Sequence, residues 1–216
     1  HGWNHRFVPV DPQVIKNQTE ATLSCWNIDA VKIGMLGTVP AIDATAEILS
    51  QHSFPHVVVD PVLICKGQEA GAALDIDNAL REKILPLATV LTPNLFETET
   101  LSGMENISTV EELTDAAKRI ADAGTKAVLA KGGANLPGDN AVDVLWDGHE
   151  ATVYSVPKVG DLRVSGAGDS LAAALTAELA KGKDLHAAVS VAKDFVTRGI
   201  AQSLDAGTPF GVVWQG

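Results

Sequence analysis

The chain has 216 residues, 46% hydrophobic and 20% charged, the proportions of one soluble globular domain with a substantial core. A formal net charge of −11 argues against a basic surface for nucleic acid or an anionic membrane, but it is compatible with anionic substrates held by local amides and a few cations. Two cysteines, Cys25 and Cys65, are too few for a disulfide framework and point to a reducing, cytoplasmic setting, and the apolar runs are too short to span a bilayer.

Asp11-Pro12 predicts a helix to about residue 26, with proline near the first helical position. Ala30-Val31-Lys32-Ile33 reads as a short strand running into Gly34-Met35-Leu36-Gly37. Pro40 starts a helix with Ile42, Ala46 and Leu49 on one face. Val57-Val58-Val59-Asp60 is an apolar run closed by an acid and Pro61, the pattern of a buried parallel strand with a functional loop at its carboxyl end. A glycine-bearing loop over residues 62–74 leads to a helix over 75–85. Residues 88–91 form the next strand, and Thr92-Pro93-Asn94-Leu95-Phe96-Glu97 opens the next helix.

Thr109-Val110-Glu111-Glu112 is a capping box for a helix ending near Ala123-Gly124. Residues 126–130 read as a strand leading into Lys131-Gly132-Gly133. Strands at 141–146 and 151–154 flank the hairpin signal Asp147-Gly148. Gly166-Ala167-Gly168-Asp169-Ser170 opens an Ala- and Leu-rich helix that stops at Lys181-Gly182. A last helix, 184–202, carries Ala188, Val191, Ala192 and Phe195 on one face. Strands alternating with helices predict a doubly wound, mainly parallel sheet with helices on both faces and an antiparallel hairpin at one edge.

The turn Gly166-Ala167-Gly168-Asp169 suggests chemistry. A glycine turn opening a helix aims free amides and the positive end of the helix dipole at one spot, which suits an anion. Asp169 beside that spot makes sense as a base that takes a hydroxyl proton while the amides hold charge on a transferring phosphoryl group. Asp169 or Ser170 as a simple helix cap is the competing reading. In a parallel sheet, ligands bind outside the carboxyl ends of the strands. Those ends carry Gly34-Met35-Leu36-Gly37, Asp60-Pro61-Val62, Asn94 with Glu97, Lys131-Gly132-Gly133 and the glycine turn. Acids and an amide beside a phosphate cradle suggest Mg²⁺ held through water. Asp60 as a strand-end cap, Asn94 and Glu97 as a capping box, and Lys131 as a solvated lysine are the alternatives.

A Walker loop is missing, so an ordinary P-loop kinase is disfavoured, and a Gly-x-Ser-x-Gly elbow is missing too. Pro55 breaks any helix that would align His52 and His56 for a metal.

Taken together and in this order, Asp29-Ala30-Val31-Lys32-Ile33-Gly34-Met35-Leu36-Gly37, Val58-Val59-Asp60-Pro61-Val62, Leu91-Thr92-Pro93-Asn94-Leu95-Phe96-Glu97, Leu129-Ala130-Lys131-Gly132-Gly133 and Gly166-Ala167-Gly168-Asp169 resemble the ribokinase superfamily. Within it the chain is similar to the bacterial phosphomethylpyrimidine kinases and their pyridoxal kinase relatives. The resemblance implies a ribokinase-like kinase using ATP and Mg²⁺, with an anion hole at Gly166, Ala167, Gly168 and Asp169. It places Asp60 and Glu97 toward the metal, and Asn94, Glu97, Lys131, Gly132 and Gly133 toward the nucleotide. It places Met35 and Val62 against the substrate ring, and it implies a small-molecule substrate and a homodimer.

The family's first strand and its Gly-Gly-Ala-Gly substrate loop have no counterpart here, so residues 1–216 are expected to be a single kinase domain lacking that front segment. Asp169 stands where phosphomethylpyrimidine kinases, and many of the Gram-positive pyridoxal kinases similar to them, usually carry cysteine, which shifts weight away from thiamine-precursor phosphorylation. Trp3-Asn4-His5 and Ile64-Cys65-Lys66-Gly67 resemble the Gram-positive pyridoxal kinases and favour pyridoxal. Thiamine-precursor phosphorylation, a sugar kinase and a non-catalytic binding relative are the alternatives. Cys65, beside Lys66 in a glycine-bearing loop, offers a thiolate able to add to the pyridoxal aldehyde; a buried or idle cysteine is the competing and commoner reading.

Overall fold

The computed structural model describes residues 8–63, 70–160, 164–207 and 210–216. The chain runs α1 (Pro12–Leu23), β1 (Ala30–Ile33), α2 (Val39–Gln51), β2 (His56–Val59), α3 (Ala70–Lys83), β3 (Val90–Leu91), α4 (Leu95–Ser102) and α5 (Val110–Asp122). It continues with β4 (Ala127–Gly133), β5 (Asn140–Trp146), β6 (Ala151–Pro157), β7 (Val164–Ser165), α6 (Ala167–Ala180), α7 (Leu185–Ala201), β8 (Leu204–Asp205) and β9 (Gly211–Val212). The first six strands form one sheet in sequential order. β1 to β4 pair in parallel, and the β5–β6 hairpin adds antiparallel strands at one edge.

Alternation along the buried strands divides the core into two layers. Ile33, Val57, Val59, Leu91, Val128, Ala130, Val142 and Val144 pack with side chains of α2, α3 and α5. The intervening Val58, Val90, Ala127, Leu129 and Leu145 pack with α6 and α7. This is the doubly wound, mainly parallel architecture that the alternating elements predict.

The helix starts follow local chemistry. Asp11, Thr38, Thr109 and Asp184 each accept a first-turn backbone N–H, which satisfies a donor that the helix itself cannot. α3 begins at Ala70 rather than near residue 75, because a glycine weakens a helix without forbidding it. On α7, Val191 is 39% exposed, and the buried apolar set is Ala188, Val189, Ala192 and Val196. A 3.6-residue period carries the buried stripe through 188, 192 and 196, leaving Val191 at its solvent edge.

A second sheet, with strand order β7-β9-β8, is absent from the sequence reading. β7 pairs in parallel with β9, and Val213 N–H donates to the Ser165 carbonyl. Trp214 N–H donates to Gly199 of α7, where a β-carbon would lie 2.3 Å from the Trp214 carbonyl oxygen. The carboxyl-terminal segment thus lies directly against the start of α6.

A charged pair is buried between α7 and β5. Lys193 and Asp143 are 5% and 3% exposed; Lys193 pairs with the carboxylate and also donates to the Ala141 carbonyl at 3.0 Å. The other Asp143 oxygen accepts the Gly133 N–H at 3.0 Å, beside the register shift between Lys131 and Gly133. Asp143→Ala leaves an ammonium buried without its partner, so stability is expected to fall by about 3–5 kcal/mol, read from a urea midpoint. Adding Lys193→Met should recover part of that loss; an undiminished loss would assign the cost to packing rather than to the stranded charge.

Candidate active site

Four strands deliver side chains to one edge of the sheet. Asp60 follows β2, and its N–H donates to the Ile33 carbonyl at 2.8 Å, holding it against the end of β1. Asp60 is 5% exposed. Lys131 of β4 donates to Asp60 Oδ1 at 2.7 Å, and the Thr92 hydroxyl beyond β3 donates to the same oxygen at 3.1 Å. Lys131 is therefore largely buried, its side chain 11% exposed, and paired, not a solvated surface lysine. Its ammonium also lies 3.2 Å from the point a β-carbon on Gly168 would occupy, so a side chain there would crowd it.

α6 begins without a side-chain cap. Gly166 is its N-cap with φ +83°, in the left-handed region that glycine enters at little cost. The Ser170 N–H makes the first intrahelical bond, to the Gly166 carbonyl at 2.9 Å. Helix geometry leaves the amides of Ala167, Gly168 and Asp169 without intrahelical acceptors at the positive end of the dipole. Neither Asp169 nor Ser170 caps the helix. The Ser170 hydroxyl is buried and accepts from Gln215 Nε2 at 2.9 Å, while Asp169 extends outward with Lys32 Nζ 3.6 Å away.

Asn94 and Glu97 do form a capping box at the start of α4. Asn94 Oδ1 accepts the Glu97 N–H at 3.0 Å, and Glu97 Oε2 accepts the Asn94 N–H at 2.8 Å. Capping does not exhaust Glu97, which is 5% exposed beside Lys131 and Asp60. Burial pushes its pKa up to about 7, and the neighbouring Asp60 carboxylate adds to the rise. The N–H bonds from Asn94 and Leu63 and the Lys131 charge only partly oppose it.

Met35 lies beyond β1 and is 53% exposed; Val62 is half-buried after Asp60. Both sit at this same edge of the sheet. Gly132 and Gly133 belong to the bulged end of β4. A β-carbon on Gly132 would meet the Val142 carbonyl oxygen at 2.6 Å, so close strand packing accounts for that glycine. Cys65, with Ile64, Lys66 and Gly67, and the segment Trp3-Asn4-His5 lie outside the described residues.

Lys32 and Thr92 also lie at this edge, and their places in the sequence do not by themselves mark them as site residues. The available signals were a lysine within a short apolar strand and a threonine closing another. A groove of about 600 Å³, bordered by Trp26, Asp29 and Phe54, lies at the opposite, amino-terminal ends of β1 and β2.

Amides at a helix start, two ammonium groups and a carboxylate facing outward are the groups that phosphoryl transfer uses, and the sheet edge defines an α/β phosphotransferase. The comparisons give the family: the chain belongs to the phosphomethylpyrimidine kinases, whose family model matches residues 1–214. A pyridoxine kinase from Bacillus subtilis is 41% identical over 203 residues, covering 94% of this chain and 75% of its own length. A hydroxymethylpyrimidine/phosphomethylpyrimidine kinase from Haemophilus influenzae is 37% identical over 207 residues, 94% of this chain and 76% of its own. The structure of pyridoxal kinase from Staphylococcus aureus in complex with AMP-PCP and pyridoxal aligns with a TM-score of 0.88 at 35% identity, covering 99% of this chain and 77% of that one.

The Glu97 carboxyl makes the stability of the ligand-free protein depend on pH. Its folded value of about 7 lies above the ordinary 4.5, so the folded chain binds this proton more tightly than the unfolded chain. Its contribution to folding is complete below about 4.5 and is lost as pH rises toward 7. Glu97→Gln, neutral throughout, is expected to be more stable than the parent at pH 8 by on the order of 2–3 kcal/mol. Thermal midpoints measured from pH 4 to pH 8 should show that gap closing on acidification; a gap independent of pH would remove the titration argument.

Proposed function

We propose that this chain transfers the γ-phosphoryl group of ATP to the 5′-hydroxymethyl oxygen of pyridoxal. One observation carries the reading: the Asp169 carboxylate stands exposed at an uncapped glycine turn whose first amides have no acceptor within the helix, as an anion hole requires. The pyridoxine and pyridoxal kinase relatives support the substrate, and the AMP-PCP bound to the Staphylococcus aureus enzyme supports the nucleotide.

On this reading Asp169 accepts the hydroxyl proton as the substrate oxygen attacks the γ-phosphorus. A new O–P bond forms, the bond to the β,γ-bridging oxygen breaks, and ADP leaves. The amides of Ala167, Gly168 and Asp169 hold the charge on the equatorial oxygens, and Gly166 gives the turn that aims them. Lys131, already against Gly168, faces the nucleotide phosphates, with Asn94, Gly132 and Gly133 shaping that side of the site. Met35 and Val62 contact the substrate ring.

Among the described residues no three His, Cys, Asp or Glu side chains stand close enough to cage a metal. Among the described residues Thr92 and Lys131 both contact Asp60 through Oδ1, and the buried Glu97 faces the same edge. That donor set fits Mg²⁺, which keeps much of its water and takes one or two carboxylates with substrate phosphates. Asp60 and Glu97 would hold it largely through water, and when bound it neutralises phosphate charge.

The superfamily resemblance extends the proposal to a single kinase domain acting as a cytoplasmic homodimer. The match to the phosphomethylpyrimidine kinase family and the Haemophilus influenzae relative favour a second reading, in which hydroxymethylpyrimidine or its phosphate is the acceptor. Competing assays of the full-length protein with ATP, pyridoxal, pyridoxine and hydroxymethylpyrimidine separate the two. Pyridoxal should give the highest kcat/KM, and a higher value for hydroxymethylpyrimidine would transfer the assignment to it.

Asp169→Asn should lower kcat by roughly 10²–10⁴-fold, the usual contribution of a general base, with the thermal midpoint little changed. Activity within a few fold of the parent would remove Asp169 as the base. Glu97→Gln should raise the Mg²⁺ concentration needed for half-maximal rate while leaving pyridoxal binding nearly intact, and an unchanged Mg²⁺ titration would leave Glu97 as a helix-capping residue only.

A further inference from the structure

We infer that Lys32 is a positioning residue for Asp169: its ammonium, supplied by β1, holds the carboxylate over the glycine turn in the orientation that receives the substrate proton. The inference rests on the reading of Asp169 as the base.

Lys32 is an unusual choice for its place. It pairs in register with Val58, whose side chain packs among those of α6 and α7, whereas Ile33 packs on the opposite face. Lys32 therefore projects on the α6 side, among the apolar Val58, Val90 and Leu129, where the sheet's other charges, Lys131 and Asp143, are each held by an ion-pair partner. Its side chain is only 26% exposed, so part of the cost of withdrawing a charge from water is incurred there. The ammonium turns to Asp169 Oδ1, 3.6 Å away, which is ion-pair rather than hydrogen-bond distance.

The neighbouring glycine accommodates this path. A β-carbon on Gly34 would lie 3.0 Å from Lys32 Nζ. Gly34 is not among the glycines with positive φ, so its backbone does not itself demand glycine. Clearance for the ammonium is what the geometry shows at this position.

Asp169 lacks any other anchor among the described residues. The helix cap is Gly166, and the carboxylate is 69% exposed on the first turn of α6. Lys131 does not stand in: its ammonium pairs with Asp60 and lies against Gly168 rather than the Asp169 carboxylate. The two lysines thus divide the turn, with Lys131 at Gly168 and Lys32 at Asp169. Proton transfer needs the base within hydrogen-bond reach of the hydroxyl, and an unanchored, exposed carboxylate spends much of its time in other rotamers.

A double-mutant cycle on the full-length protein tests this. Lys32→Met keeps an unbranched apolar stem and removes the charge. It should lower kcat roughly 10–100-fold, the scale on which misplaced catalytic groups lose rate, with KM for ATP and for pyridoxal little changed. Because an ion pair at 3.6 Å with one partner 69% exposed adds little to stability, the thermal midpoint should stay near that of the parent. Lys32→Arg should recover part of the rate. In the Asp169→Asn background, Lys32→Met should cost nothing further, since a residue acting through Asp169 has nothing left to position. Equal losses in both backgrounds would overturn the inference, as would a rate loss matched by a fall in thermal midpoint. If Asp169→Asn alone leaves kcat intact, the base assignment itself fails. A large Asp169→Asn effect with additive Lys32 losses sinks the role of Lys32 alone.

Discussion

The buried contact between Lys131 and Asp60 holds the active edge together. Asp60 follows β2, Lys131 ends the parallel part of the sheet at β4, and the Thr92 hydroxyl from beyond β3 donates to the same carboxylate oxygen. One interaction thus sets the spacing of three strand ends. It also places a positive charge against Gly168, which is where the helix dipole of α6 presents its free amides. A buried ion pair of this kind is a weak source of net stability, because desolvation offsets much of the attraction. Its consequence is geometric: with either partner removed the other is a stranded charge, so the two strand ends stay registered.

The environment of that pair also explains the chemistry of its neighbours. Glu97 lies behind it, buried and capping α4, and burial raises its pKa to about 7. Asp169, by contrast, is exposed to solvent and faces Lys32. Two acids a few elements apart therefore occupy opposite environments, one buried beside the ion pair and the other open to solvent.

Support for the glycine turn comes from the far end of the chain. β9 pairs with β7 immediately before the turn, Val213 packs against Gly166, and Gln215 donates to Ser170. These contacts fix the first turn of α6 from outside the helix, which allows Gly166 to serve as N-cap without any side-chain oxygen. The buried Lys193–Asp143 pair does the same for the bulged end of β4, through the Gly133 amide. Both arrangements keep backbone amides oriented at the site without occupying it.

Much of this protein was legible in its sequence because the signals are local. The run Val57-Val58-Val59-Asp60 reads as a buried strand, Thr109 with Glu112 as a helix start, and Gly166-Ala167-Gly168 as a turn opening a helix, since each depends on residues within a few positions. Alternation of strands and helices then determines the doubly wound sheet, and with it the edge where ligands bind. What the tertiary structure decided are contacts between residues far apart in the chain. No local pattern announces that Lys131 is buried on Asp60, that Lys32 reaches Asp169, or that β9 returns to brace the glycine turn. The stripe on α7 shows the same limit: spacing placed Val191 on the buried face, but the packing partner set the angle of that face. Period and propensity are properties of a segment, whereas pairing, burial and a raised pKa arise only when segments meet.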